Sequence, residues 1–148
     1  MNVIPDDRGA AAVEFAILAP LLLFLLGSLA DIGFSLRCQG LLAGAVASGA
    51  QYAFNTGTAV SAVSVKQMVQ GSSSLVGVSA TITGPALYCV TGTPAKLATA
   101  IAGQTCSDGG APGTYLTISA TYHYTQLLPS QSSFMNPSLS ETASVRLQ

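Results

Sequence analysis

Residues 10–30 read AAAVEFAILAPLLLFLLGSLA, and this stretch decides the class of the protein. Glu14 is its only charged member, and from Phe15 to Ala30 there is none. A helix rising 1.5 Å per residue needs about 20 apolar residues to cross a hydrocarbon core of roughly 30 Å. The stretch has that length, and it is bounded by Asp6, Asp7 and Arg8 on one side and Asp31 on the other. Pro20 would kink the helix or loosen a backbone bond, which membrane helices tolerate more readily than soluble ones. The segment therefore reads as one transmembrane helix.

The rest of the composition agrees. Of 148 residues only 11 are formally charged (Lys+Arg 5, Asp+Glu 6), hydrophobic residues make up 49%, and Trp is absent. Mean hydropathy is +0.53. Disordered chains need the opposite balance, and five dispersed cations cannot build a phosphate-tracking patch, so no nucleic-acid partner is expected. The composition also excludes collagen-like and coiled-coil chains.

Three fates fit residues 10–30. They can form an uncleaved anchor. They can be the core of a secretory signal, with Ser28-Leu29-Ala30 supplying small residues before a cut at Asp31. The third fate rests on Glu14, because a carboxylate inside a bilayer helix costs about 2.5–3.5 kcal/mol on insertion scales and marks a functional site by default. Its plain alternative is a Glu lying near the interface and reaching toward headgroups.

The string Arg8-Gly9-Ala10-Ala11-Ala12-Val13-Glu14-Phe15 resembles the processing site of the type IV pilin superfamily. There a prepilin peptidase cuts after a Gly and a Glu stands at the fifth mature position. Counted from Gly9, Ala10 is position one, Glu14 position five and Phe15 position six. The longer run from Arg8 to Leu26, with Pro20 at its centre, is similar to the TadE-like pseudopilins of the tight-adherence (Tad/Flp) pilus system. Asp31, Gly33, Phe34 and Arg37 resemble the same family's acidic residue before a basic one; alternatively, Asp31 and Arg37 only mark the membrane–water boundary. The order Thr117–Tyr122, Leu127–Pro129, Thr142–Arg146 extends the resemblance over Tyr115–Arg146, whereas residues 58–111 are generic.

The resemblance implies a leader at 1–9, a transmembrane helix at 10–36 and a periplasmic or extracellular pilin-like domain at 37–148. It implies a single-pass inner-membrane protein with a cytoplasmic N-terminus. The partners it implies are other pilins or pseudopilins, the prepilin peptidase, the lipid bilayer and an inner-membrane assembly platform. The function implied is pilus assembly, by priming or at the tip, with no enzymatic step and no cofactor. Glu14 would meet the Ala10 amine of an adjacent subunit and so set register. The positive-inside rule gives no vote, since Arg8 lies before the helix among acids and Arg37 lies beyond it. The rival reading is a secreted or membrane-tethered periplasmic binding or adhesion domain in which the Glu14 spacing is coincidental.

Beyond the membrane the helical pattern continues. Leu36, Leu41, Leu42, Ala45, Val46, Gly49, Tyr52 and Ala53 recur at three- and four-residue intervals, predicting one helix from Ala10 to Phe54 that stops at Asn55-Thr56-Gly57. A second helix is expected over Ala59–Gln70, capped by Thr58 and stopped by Gly71, with Val60, Val63, Met68 and Val69 facing the first. Alternation then predicts a strand from Val76 to Thr83, ended by Gly84-Pro85. Pro94–Ala102 reads as a short helix, Asp108–Gly113 as a turn cluster, Thr114–Thr125 as the best strand, ended by Leu127-Leu128-Pro129, and Leu139–Leu147 as a strand returning antiparallel. The fold class is thus α+β, a long N-terminal helix packed on a small antiparallel sheet.

Cys89 and Cys106 bracket a loop of about 16 residues, and in an oxidising compartment they would pair. Cys38 is either a free thiol or an intersubunit partner. Spacings of 51 and 17 residues with one His match no metal site. His123 sits mid-strand with no nucleophile motif around it, so no catalytic residue is expected. The loop carrying Phe134 and Met135 reads equally as a partner contact or as a flap over the sheet.

Overall fold

The computed structural model describes residues 7–126 and 137–147. The expected Leu127–Pro129 strand end and the Phe134-Met135 loop lie outside the described residues. The described chain divides into two units, residues 7–36 with 125, 126 and 137, and residues 37–124 with 138–147.

Helix α1 runs without interruption over Asp7–Thr56, through Pro20. It ends where the Asn55-Thr56-Gly57 signal places the stop, at Gly57 with φ +69°. Along its second half, Leu42, Ala45, Val46, Gly49 and Ala53 are buried, at the three- and four-residue spacing of one helix face. Leu36, also assigned to that stripe, is exposed.

The connection to the second helix is longer than the sequence suggests. Gly57–Ala59 form one 3₁₀ turn, Val60 is extended and buried, and Ser61 takes the N-cap position of α2 (Ala62–Ser72). The helix therefore starts three residues after the expected Ala59, and Thr58 caps nothing. It also runs past Gly71 to Ser72. Shifting the start changes which residues face inward. Val65 and Val69, one turn apart, are fully buried, whereas Val63 and Met68, expected to face α1, are exposed.

Four antiparallel strands form one sheet in the order β2-β1-β3-β4: β1 Ser79–Thr91, β2 Lys96–Thr99, β3 Gly113–His123 and β4 Ser138–Arg146. The two C-terminal strands appear where alternation predicts them. Two expectations fail. Gly84-Pro85 does not end its strand. The register shifts there, Thr83 pairing with Thr117 and Ala86 with Tyr115, so β1 takes one extra residue as a bulge and continues to Thr91. Only glycine fits the turn of the bulge, since Gly84 has φ +103° and a Cβ would stand 2.7 Å from the Tyr115 carbonyl oxygen. The same strand begins at Ser79, because Gly77 turns at φ +92° and leaves Val76 almost wholly exposed.

The second failure is the helix expected over Pro94–Ala102. Gly92, at φ +78°, turns the chain instead, and Lys96–Thr99 folds back on Thr91–Tyr88 as β2. The Ala100 N–H then donates to the Leu87 carbonyl at 2.9 Å, extending the ladder. The Ala-, Leu- and Lys-rich segment favours a helix by propensity, and tertiary pairing overrides it because the edge of β1 offers hydrogen-bond partners.

One core joins the layers. Leu116, Ile118 and Ala120 of β3 are fully buried, with Val78 and Ala80 beside them, under Val65 and Val69 of α2 and the buried face of α1. The tightest point is Gly49, where an added Cβ would collide with a Val69 methyl and lie 3.6 Å from Ile118 and Val65 side-chain atoms. Cys89, buried on the core face of β1, is bonded to Cys106 with the Cα atoms 5.5 Å apart. This ties the strand to the turn in which the Gly109 and Cys106 amides donate to the Cys106 and Gly110 carbonyls, and the Gly110 amide to Asp108 Oδ1.

The glycine contact and the disulfide can each be tested by stability. Gly→Ala inside a helix normally stabilises by up to about 1 kcal/mol. Gly44→Ala, with open space around it, should do so. Gly49→Ala should reverse the sign and lower the thermal midpoint of the full chain in detergent. Breaking the disulfide by Cys89→Ser with Cys106→Ser should cost about 3 kcal/mol, read by denaturant unfolding under non-reducing conditions.

Candidate functional site

The chemistry-bearing residues at the start of the chain all stand on α1. The Gly9–Ala10 peptide bond lies in its first turns, two residues after its first described residue. Gly9 is exposed, and beyond its own turn of helix no atom lies within 4 Å of where a methyl group on it would stand. Glu14 follows little more than one turn later and is exposed. Phe15 is 69% exposed.

From Phe15 to Leu29 the helix surface is apolar and bare. Ile17, Leu18, the run Leu21–Leu26 and Leu29 are each about half exposed or more. An exposed apolar helix surface of this length needs lipid or other helices around it. This is the one helix among the described residues long and apolar enough to cross a membrane. Backbone polarity is satisfied within it, and Ser28 Oγ donates back to the Phe24 carbonyl at 2.8 Å, which shields that hydroxyl from hydrocarbon.

Asp31 behaves differently from the other charged residues. It is the one charged side chain among the described residues that is wholly buried. Arg37, six residues on, is exposed, and the two do not share the i,i+4 spacing of a helical pair. The sequence marks Asp31 as a charge but carries no sign of its burial, because burial is a property of what packs beside it.

Cys38 is a half-buried free thiol. His123 is exposed at the end of β3, with Nδ1 3.3 Å from the Tyr124 carbonyl oxygen. Among the described residues no group of three or more His, Cys, Asp or Glu is arranged to hold a metal ion.

With this geometry in place, comparison with known proteins bears on the first segment. Residues 9–51 match the family described as TadE-like protein, in agreement with the resemblance around Gly9, Glu14 and Pro20. The match begins at the Gly of the expected cleavage pair and runs through the exposed apolar segment into the buried half of α1. The likeness noted around Tyr115–Arg146 lies outside it. No curated protein and no solved structure matches the chain.

Exposure of Glu14 on an otherwise apolar surface gives a direct expectation for membrane insertion. Glu14→Leu should make the segment insert more readily, by no more than about 3 kcal/mol. The measurement is the fraction of chains spanning the membrane in a translocon insertion assay with engineered glycosylation acceptors on either side.

Proposed function

We propose that this protein is a minor pilin or pseudopilin of a tight-adherence type IV pilus, acting in assembly by priming the filament or standing at its tip. The TadE-like match over residues 9–51 carries the reading. It is supported by the placement of Glu14 on a bare apolar helix, a residue that a plain anchor does not need.

In this reading residues 1–9 are a leader, 10–36 span the inner membrane and 37–148 form the periplasmic domain. Prepilin peptidase removes the leader after Gly9, from a helix end of the kind that frays readily. Cleavage gives Ala10 an α-amino group that is positively charged at neutral pH. Glu14 of one subunit then faces the Ala10 amine of its neighbour, with Phe15 packed alongside. A desolvated pair of this kind adds little net stability over an apolar isostere, but a slipped register strands a charge in hydrocarbon. Its contribution is therefore the stagger between helices.

Removing residues 1–9 leaves four basic and four acidic side chains (5 − 1 and 6 − 2). A neutral subunit packs densely without self-repulsion. Asp31 and Arg37 lie toward the periplasmic end of the span. The Cys89–Cys106 bond suits an oxidising periplasm. The work is assembly with other pilins on the inner-membrane platform, without a chemical step after processing.

The experiment is the mature N-terminus, read by mass spectrometry on protein from the membrane fraction of its host. A start at Ala10 that disappears when prepilin peptidase is inactive is the expected result, and Glu14→Ala should then insert but fail to assemble. A start at Asp31, or a retained leader in the unmodified host, would overturn the pilin reading in favour of an exported or tethered binding domain.

A further inference from the structure

The sheet has a second face, turned away from the core, whose chemistry the assembly reading does not use. Alternation along β3 sends Leu116, Ile118 and Ala120 inward and Tyr115, Thr117, Ser119 and Thr121 outward. Register extends this into rows across three strands. Thr83, Thr117 and Ser144 form one row, and Thr81, Ser119 and Thr142 the next. A third row is centred on Thr121, and at each of its three positions the residue is again Ser or Thr. The spacing is about 4.8 Å between strands and about 6.7 Å between rows. Each hydroxyl-bearing residue is exposed or half-buried.

Within this array the hydroxyls hold one another. Thr117 Oγ1 lies 3.0 Å from Ser144 Oγ, and Ser119 Oγ lies 3.2 Å from Thr142 Oγ1. A hydroxyl bonded to its neighbour still offers donor or acceptor capacity outward, and it has already lost rotamer freedom.

The bulge at Gly84-Pro85 adds rings to the same face. One extra residue in β1 switches which parity points outward, so Tyr88 emerges on the side of Thr83 and Thr81. Its ring meets that of Tyr115 edge-on, with centroids 6.4 Å apart at 84°. Arg146 pairs with Tyr115 across β3 and β4, and a Cβ on Gly113 would lie 2.9 Å from both Arg146 Nε and a Tyr115 ring carbon. The guanidinium and the ring therefore converge over Gly113, at the end of the hydroxyl rows.

We propose that this face binds a polysaccharide strand, an uncharged polyhydroxyl polymer lying along the rows with a sugar ring against the tyrosines. The chemistry selects among occupants. A protein partner would want an apolar centre, which the rows lack. Nucleic acid would want several cations, and the rows with their aromatic end carry Arg146 alone. A lipid surface would want an apolar face. An array of preset hydroxyls beside two aromatic rings and a planar fork of donors matches the hydroxyls and C–H faces of sugars. The inference is independent of the pilin reading, since it uses only residues beyond Val78.

The test uses the full chain in phosphatidylcholine nanodiscs, co-sedimented with microcrystalline cellulose, chitin and curdlan particles. At least one polymer should retain the protein, with retention unchanged in high salt. Tyr115→Ala and Ser119→Lys should each weaken retention about tenfold, with the disulfide intact and circular dichroism unchanged. Absence of retention on all three polymers would overturn the proposal. So would retention abolished by salt, or variants that bind like the parent. Self-association lost in Ser119→Lys, without polymer retention, would overturn it in favour of a second copy of the chain.

Discussion

The contact at Gly49 is the constraint on which the folded domain depends. A long apolar helix gains nothing from a sheet unless backbone and side chains approach closely enough to exclude water. Here the missing side chain of Gly49 lets Val69 of α2 and Ile118 of β3 press on α1 at one point. Leu42, Ala45 and Val46 on one side of that point and Ala53 on the other continue the same buried face. The small residues of this half of α1 therefore act as a fitted surface, while Leu21–Leu26 of the other half stay bare for lipid or other helices.

This division of one helix explains how the apolar residues of a chain with so few charges are shared out. The domain core mixes Ala and Val with Leu42, Leu116, Ile118 and Leu147, at helical spacing on α1 and α2 and at alternate positions on β3. Large Leu and Phe dominate residues 15–29, where no domain packing is needed. Polar satisfaction is local along both halves. Ser28, Ser48 and Thr56 each return their hydroxyl to the carbonyl one turn back, so the helix carries these groups within its own surface.

The bulge in β1 shows how one local device sets two surfaces at once. It keeps the strand paired with β3 beyond Gly84, which lets β2 join at Tyr88–Thr91, and it exchanges the parity of the faces. Cys89 is thereby turned into the core toward its disulfide partner, and Tyr88 outward beside Tyr115. A strand ended at Gly84-Pro85 would have provided neither.

What the sequence determined by itself is whatever depends on periodicity and on neighbours in the chain. The membrane-length helix, its stop at Gly57, the long strand at Gly113–His123, the returning strand after it and the family resemblance around Gly9 and Glu14 are all of that kind. The pairing of Cys89 with Cys106 was legible too, because the spacing left that loop as the natural closure. The tertiary structure decided what depends on partners far along the chain. Lys96–Thr99 became a strand because the edge of β1 was there to receive it. The start of α2 moved to Ala62 because Val60 found a place in the core while extended. The hydroxyl rows of three separate strands came into register. None of these is encoded within a few residues of its own position, since each arises from hydrogen bonds or burial supplied by segments that only the fold brings together.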